Sequence, residues 1–88
     1  MKEFTYIIKD KNGLHARPAG ALASTAKSFE SEIRVEAQGK EADGKRLLSL
    51  MSLGARCGTK MRFKISGRDE DVAEKALLQY CKERLDGE

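Results

Sequence analysis

The chain has 88 residues, of which 40% are hydrophobic and 35% charged, with one proline and no low-complexity tract; this fits one small globular domain over residues 1–88 rather than a disordered chain. Seventeen Lys and Arg against fourteen Asp and Glu leave a formal charge of +3, too weak and too evenly spread to imply nucleic acid, and equally compatible with acidic protein partners. No segment approaches the roughly 18 apolar residues of a membrane span, and Met1-Lys2-Glu3 does not lead into a secretory apolar run, so a cytoplasmic location without membrane insertion is expected.

In chain order, Phe4, Tyr6 and Ile8 alternate with Thr5 and Ile7, the pattern of a strand with an apolar inner face. Asp10-Lys11-Asn12-Gly13 reads as a turn. From Ala16 to Lys27, the residues Ala19, Leu22, Ala23 and Ala26 follow helical spacing, which places Ala16, Gly20, Ser24 and Lys27 on the other side. Ile33, Val35 and Ala37 alternate with charged residues in a second strand, and Gln38-Gly39 turns it into a short third strand at Lys40 to Asp43. Leu47, Leu48, Leu50, Met51 and Leu53 then crowd a short helix that Gly54 is expected to end in a left-handed conformation.

Met61, Phe63 and Ile65 alternate with Lys60, Arg62 and Lys64 in a last strand closed by Gly67. Asp69 is expected to N-cap the final helix, with Glu70 and Asp71 at its positive end. Val72, Ala73, Ala76, Leu77, Tyr80 and Cys81 keep helical period to near Arg84. The order strand, helix, strand, strand, helix, strand, helix predicts an α+β fold, an antiparallel sheet with the helices on one face and charged strand residues on the other. Cys57 and Cys81 lack zinc-ligand and redox-pair spacing and are expected to be reduced thiols.

The stretch Gly13-Leu14-His15-Ala16-Arg17-Pro18-Ala19 holds the only histidine and the only proline. With His15 as N-cap, the NH groups of Ala16 and Arg17 have no intrahelical acceptors, and Pro18 sits in the first turn, where a missing NH is tolerated. The helix dipole adds about half a positive charge there, and Arg17 a full one with bidentate reach to phosphate oxygens. These features suit a nucleophilic histidine that accepts a phosphoryl group. A capping or surface histidine has the same spacing, and neither a carboxylate base nor a second metal-ligating histidine lies within the heptad. Chemistry alone leaves the two readings open.

The heptad resembles the active-site signature of the HPr family, the histidine-containing phosphocarriers of the bacterial phosphoenolpyruvate-dependent sugar phosphotransferase system. The chain length, the order of elements and the run Leu50-Met51-Ser52-Leu53-Gly54 resemble the family too. The resemblance implies an HPr-like open-faced β-sandwich with a four-stranded antiparallel sheet and three helices, βαββαβα. It implies that His15 accepts a phosphoryl group from enzyme I on Nδ1 and donates it to enzyme IIA domains. Arg17 and the Ala16 and Arg17 amides would hold the phosphate. Such a protein carries a phosphohistidine intermediate rather than turning over as an enzyme, needs no cofactor or metal of its own, and is expected to be a monomer.

A relay that meets several partners briefly needs a docking surface with an apolar centre and a basic rim. The overfull second helix is expected to leave Leu47, Leu48 or Met51 exposed near His15, beside a low surface of Ala16, Gly20, Ala21 and Ser24. Lys27, Lys45 and Arg46 are expected at the rim; the competing expectation is that the leucines are core. In relatives from low-GC Gram-positive bacteria a regulatory serine begins the second helix where this chain has Arg46, and Ser49 and Ser52 lie too far into the helix to inherit that role.

A nucleic-acid-binding module would need aromatics on the sheet face or a G-x-x-G clamp. The outward strand residues are charged or aliphatic, and Gly54 and Gly58 have three residues between them. An alternative within the family is a paralogue serving a nitrogen-related or regulatory phosphorelay.

Overall fold

In the computed structural model, which describes residues 1–84, the elements are β1 (Lys2–Ile7), α1 (Ala16–Lys27), β2 (Glu32–Ala37), β3 (Lys40–Asp43), α2 (Leu47–Met51), β4 (Lys60–Ser66) and α3 (Glu70–Arg84). The strands form one antiparallel sheet in the order β1-β4-β2-β3. Because β1 and β2 are both antiparallel to β4, they run parallel to each other with β4 between them, and α1 makes the crossover. The expected α+β architecture is the observed one.

Phe63 sits at the middle of β4, opposite Phe4 on one side and Val35 on the other. It is fully buried and stacks on Phe4 with ring centroids 4.6 Å apart. Met61 and Ile65, its neighbours on the same face, are buried too, as are Ile33 and Val35 of β2. The stripe Ala19, Leu22, Ala23 and Ala26 of α1 covers this face together with Ala73, Leu77 and Cys81 of α3. Truncating one such large core side chain to alanine typically costs ~2–5 kcal/mol, so the register of β4 is strongly specified.

The β2–β3 hairpin turns on Gln38 and Gly39, with φ of 54° and 78°, the pair of positive values that a tight two-residue hairpin requires. The Gln38 side chain then donates through Nε2 to the carbonyls of Leu53 (2.9 Å) and Gly54 (2.8 Å). The hairpin tip thus satisfies carbonyls beyond the C-terminal end of α2, an end that Gly54 closes with a φ of 64°.

Three local expectations change. The backbone carbonyl of Asp69 does accept the first amide of α3, from Ala73 at 2.9 Å. Its carboxylate, however, accepts from the Glu30 amide (2.9 Å), the Ser31 amide (3.0 Å) and the Ser31 hydroxyl, tying the start of α3 to the segment before β2. Those bonds, the Ser31 hydroxyl first, hold its pKa below the ordinary carboxylate value. Val72 is exposed rather than core, because the buried line of α3 is Ala73, Leu77 and Cys81 at spacings of four, and Val72 lies one residue off it. Lys45 is not a free rim charge: its Nζ donates to the Phe29 carbonyl at 2.7 Å.

Candidate functional site

Two anchors fix the backbone on either side of His15. Ahead of it, Gly13 has a φ of 68° and lies so close to the 55–56 segment that an added Cβ would stand 2.6 Å from the Ala55 oxygen. Leu14 is buried, and its amide donates to that same oxygen at 3.0 Å. Behind it, Pro18 is buried and its carbonyl accepts from the Tyr80 hydroxyl at 2.8 Å, which pins the first turn of α1 to α3. Sequence periodicity placed Tyr80 on the packing face of α3, and only the tertiary structure reveals its grip on the site.

Between these anchors His15 is the N-cap of α1, with extended φ and ψ of −85° and −176° and no side-chain capping bond. Its carbonyl accepts from Ala19 at 3.0 Å, so the helix begins at Ala16. The imidazole is exposed, as are Ala16 and Arg17. The first turn of α1 contains no acidic residue, although acids are favoured there in ordinary helices. Its positive end is left uncompensated by its own helix. The Arg17 guanidinium makes no ion pair or hydrogen bond with the described residues.

His15, Arg17 and Pro18 line an open depression of 280 Å³ together with Asp10 and Asn12 from the preceding turn. That turn is an Asx turn: Asp10 Oδ1 accepts from the Asn12 amide at 2.8 Å, and the Asp10 carbonyl accepts from Gly13 at 2.9 Å. The sequence marked 10–13 as a turn but gave no sign that its side chains share a cavity with His15. A larger depression at the hairpin end of the open sheet face is lined by charged residues such as Glu36, Lys60 and Arg62. Glu36 there already pairs with Lys64 (3.1 Å) and Arg62 (3.9 Å). Chemistry, not size, marks the His15 depression as the site.

Next to the site, Leu48 is 80% exposed, and Leu47 (38%) and Met51 (39%) are partly so, whereas Leu50 and Leu53 are buried. The crowded helix is therefore split, with two leucines in the core and three large apolar residues outside. An added Cβ on Gly20 would touch Leu47 Cδ1 at 4.0 Å, so the exposed edge of α2 adjoins the small-residue face of α1. Ala16, Ala21, Ser24 and Lys27 are exposed on that face and Gly20 is half-buried. Arg46, the N-cap of α2, is exposed. Ser52 donates to the Ser49 carbonyl (2.6 Å), while the Ser49 hydroxyl accepts from the Asp43 amide (2.9 Å) and so fastens α2 to β3.

An exposed histidine at a helix start with no acid in its own first turn, on a four-stranded antiparallel sheet backed by three helices, defines a small α+β protein with an anion-receiving imidazole. Comparison with known proteins completes that description. Residues 2–83 match the family model described as the PTS HPr component phosphorylation site, and the chain belongs to this HPr family. It is 44% identical over 85 residues to the phosphocarrier protein HPr of Mycoplasma genitalium, covering 96% of each chain. Among solved structures it is similar to HPr-C-His from Thermoanaerobacter tengcongensis, with a TM-score of 0.92, 41% identity, and 100% and 99% of the two chains covered. It also resembles an HPr dimer from that organism, with a TM-score of 0.74 at 43% identity over the whole of both chains. Family membership assigns the chain the role of a phosphocarrier in the bacterial phosphotransferase system, the PTS. No described helix is long and apolar enough to cross a membrane.

Proposed function

We propose that His15 is the phosphoryl acceptor, that enzyme I is the donor, and that enzyme IIA domains are the recipients. The observation that carries this reading is the exposed imidazole at the N-cap of α1, which makes no capping bond, beside the first-turn amides and an Arg17 without a partner among the described residues. In the forward step the Nδ1 lone pair attacks the phosphorus, and the bond from phosphorus to the donor breaks with its electron pair leaving on the donor. The Nε2 proton stays in place. The phosphoryl oxygens gain the Ala16 and Arg17 amides, which the helix start orients before the reaction begins, and the Arg17 guanidinium. Transfer to a IIA domain reverses these events onto a different acceptor.

The docking surface in this reading joins Ala16, Gly20, Ala21, Ser24 and Lys27 of α1 to Leu47, Leu48 and Met51 of α2, with Arg46 at its edge. Exposed apolar side chains on α2 give it a dry centre without the large patch that would drive permanent association. The protein is read as a cytoplasmic monomer that presents this face to one partner at a time; because a dimeric relative is known, sedimentation at working concentration is the measurement that tests this state.

Incubation with enzyme I and labelled phosphoenolpyruvate tests the assignment. An acid-labile, base-stable label that disappears in His15→Ala supports it, and label that survives the substitution removes His15 from the role. Loss of one charge-assisted interaction of ~1.5–3 kcal/mol predicts that Arg17→Ala slows transfer roughly tenfold to a hundredfold. Its thermal stability should stay near that of the wild type, since Arg17 is exposed.

A further inference from the structure

The depression around His15 holds one charged group that the relay chemistry does not use. Asp10 lines it beside His15 and Arg17, and its carboxylate is fixed by the bond from the Asn12 amide to Oδ1. A carboxylate in the wall of this depression shares it with any dianionic phosphoryl group carried on His15. The helix start and Arg17 attract that group, and Asp10 repels it. We propose that Asp10 is a tuning residue that destabilises the phosphohistidine and so raises the tendency of His15 to give its phosphoryl group away.

This inference rests on the proposed role of His15 and adds a function for the turn that precedes it. A relay must release what it binds, and a site built only of positive charge would hold the phosphoryl group too well. The repulsion arises only once the phosphoryl group is on His15, because only that state brings a second negative charge into the depression. Across a small, open depression in water-like dielectric, a carboxylate and a dianion shift an equilibrium by roughly threefold to tenfold. Added salt screens the effect.

The competing explanation is that Asp10 serves only the Asx turn. Asp10→Asn separates the two, because the amide oxygen can accept the same bond from Asn12 while the charge is lost. Uniformly ¹⁵N-labelled wild type and unlabelled Asp10→Asn are mixed in equal amounts with catalytic enzyme I and a limiting supply of phosphoenolpyruvate, and the phosphoryl group is allowed to equilibrate between them. Intact mass spectrometry at alkaline pH reads the partition. The inference predicts a threefold to tenfold excess of phosphoryl group on Asp10→Asn, shrinking as ionic strength rises, and near-equal sharing when Asp10→Glu replaces it. Equal sharing between wild type and Asp10→Asn, or an excess on the wild type, overturns it. Asp10→Ser, whose hydroxyl can also accept the turn bond, repeats the test should the first variant misfold. A wild type that takes up no phosphoryl group defeats the proposed function itself, and this inference with it, whereas equal sharing between two phosphorylated proteins defeats the inference alone.

Discussion

Replacing Gly13 by alanine tests how the site is held in place. At φ 68° a Cβ costs ~1–2 kcal/mol from left-handed strain alone. At this position the Cβ also stands 2.6 Å from the Ala55 oxygen and 2.8 Å from the Arg56 Cα, both backbone atoms that no side-chain rotation can move. The 55–56 segment must back away, and the hydrogen bond from Leu14 to Ala55 stretches or breaks, worth ~1 kcal/mol more. The sum is about 3 kcal/mol, a large part of the ~5–15 kcal/mol that holds a small domain folded. Gly39 supplies the control. It has a φ of 78° with nothing within 4 Å of an added Cβ, so Gly39→Ala carries the strain without the clash. Urea unfolding followed by circular dichroism should show Gly13→Ala less stable than Gly39→Ala by ~1–2 kcal/mol. Because Gly13 leads directly into His15, phosphoryl transfer should slow in Gly13→Ala and stay near wild type in Gly39→Ala. Equal destabilisation of the two variants would refute the packing argument.

Other consequences follow from burial and charge. Asp69 and Glu70 both have depressed pKa values, Asp69 through the Ser31 hydroxyl and the Glu30 amide, and Glu70 through the Gly67 amide and the Met1 amine. A group depressed in the folded state stabilises above its unfolded pKa and loses that contribution as pH falls through the folded value, so stability should decline on acidification below about pH 4. Urea titrations should find the gap between wild type and Asp69→Asn narrowing over that range; a gap that stays constant to pH 2 argues against the carboxylate's charge as its source. Burial pushes the Cys81 thiol up to about 12, while Cys57 is exposed. A thiol reagent at pH 8 should therefore modify one cysteine rapidly, and the second only on unfolding. Leu48 is 80% exposed, so Leu48→Asp should change stability by no more than ~0.5 kcal/mol. The same change should raise the KM for enzyme I severalfold if α2 docks partners, and an unchanged KM would take Leu48 out of the interface.

Much of this was legible in the sequence because each element's periodicity reports its own buried face. The stripe of α1, the alternation in β4 and the Gln38-Gly39 turn are local signals, and the structure places them as expected. The heptad likewise encodes its own geometry: His15 as N-cap follows from a glycine turn running into an alanine-rich helix. What the pattern could not show is where the ends of different elements meet. Asp69 has every local feature of a capping residue, yet its carboxylate bonds residues 38 and 39 positions away, which competed successfully for it. Lys45 looked like a surface charge until the fold brought the Phe29 carbonyl to it. Gln38 binding the end of α2, Tyr80 reaching Pro18 and Asp10 sharing the His15 depression are meetings of the same kind. The overfull second helix was legible only halfway, since composition showed an excess of apolar residues, and the orientation of α2 selected Leu47, Leu48 and Met51 as those left outside.

The most direct test of the account is to locate the phosphorus atom. Protein carrying ¹⁵N-labelled histidine, phosphorylated by enzyme I and held at alkaline pH, should show one phosphorus signal coupled to Nδ1 of His15, and that signal should vanish on transfer to a IIA domain. Phosphorus bound to any other residue, or to His15 but not released to an acceptor, would contradict it.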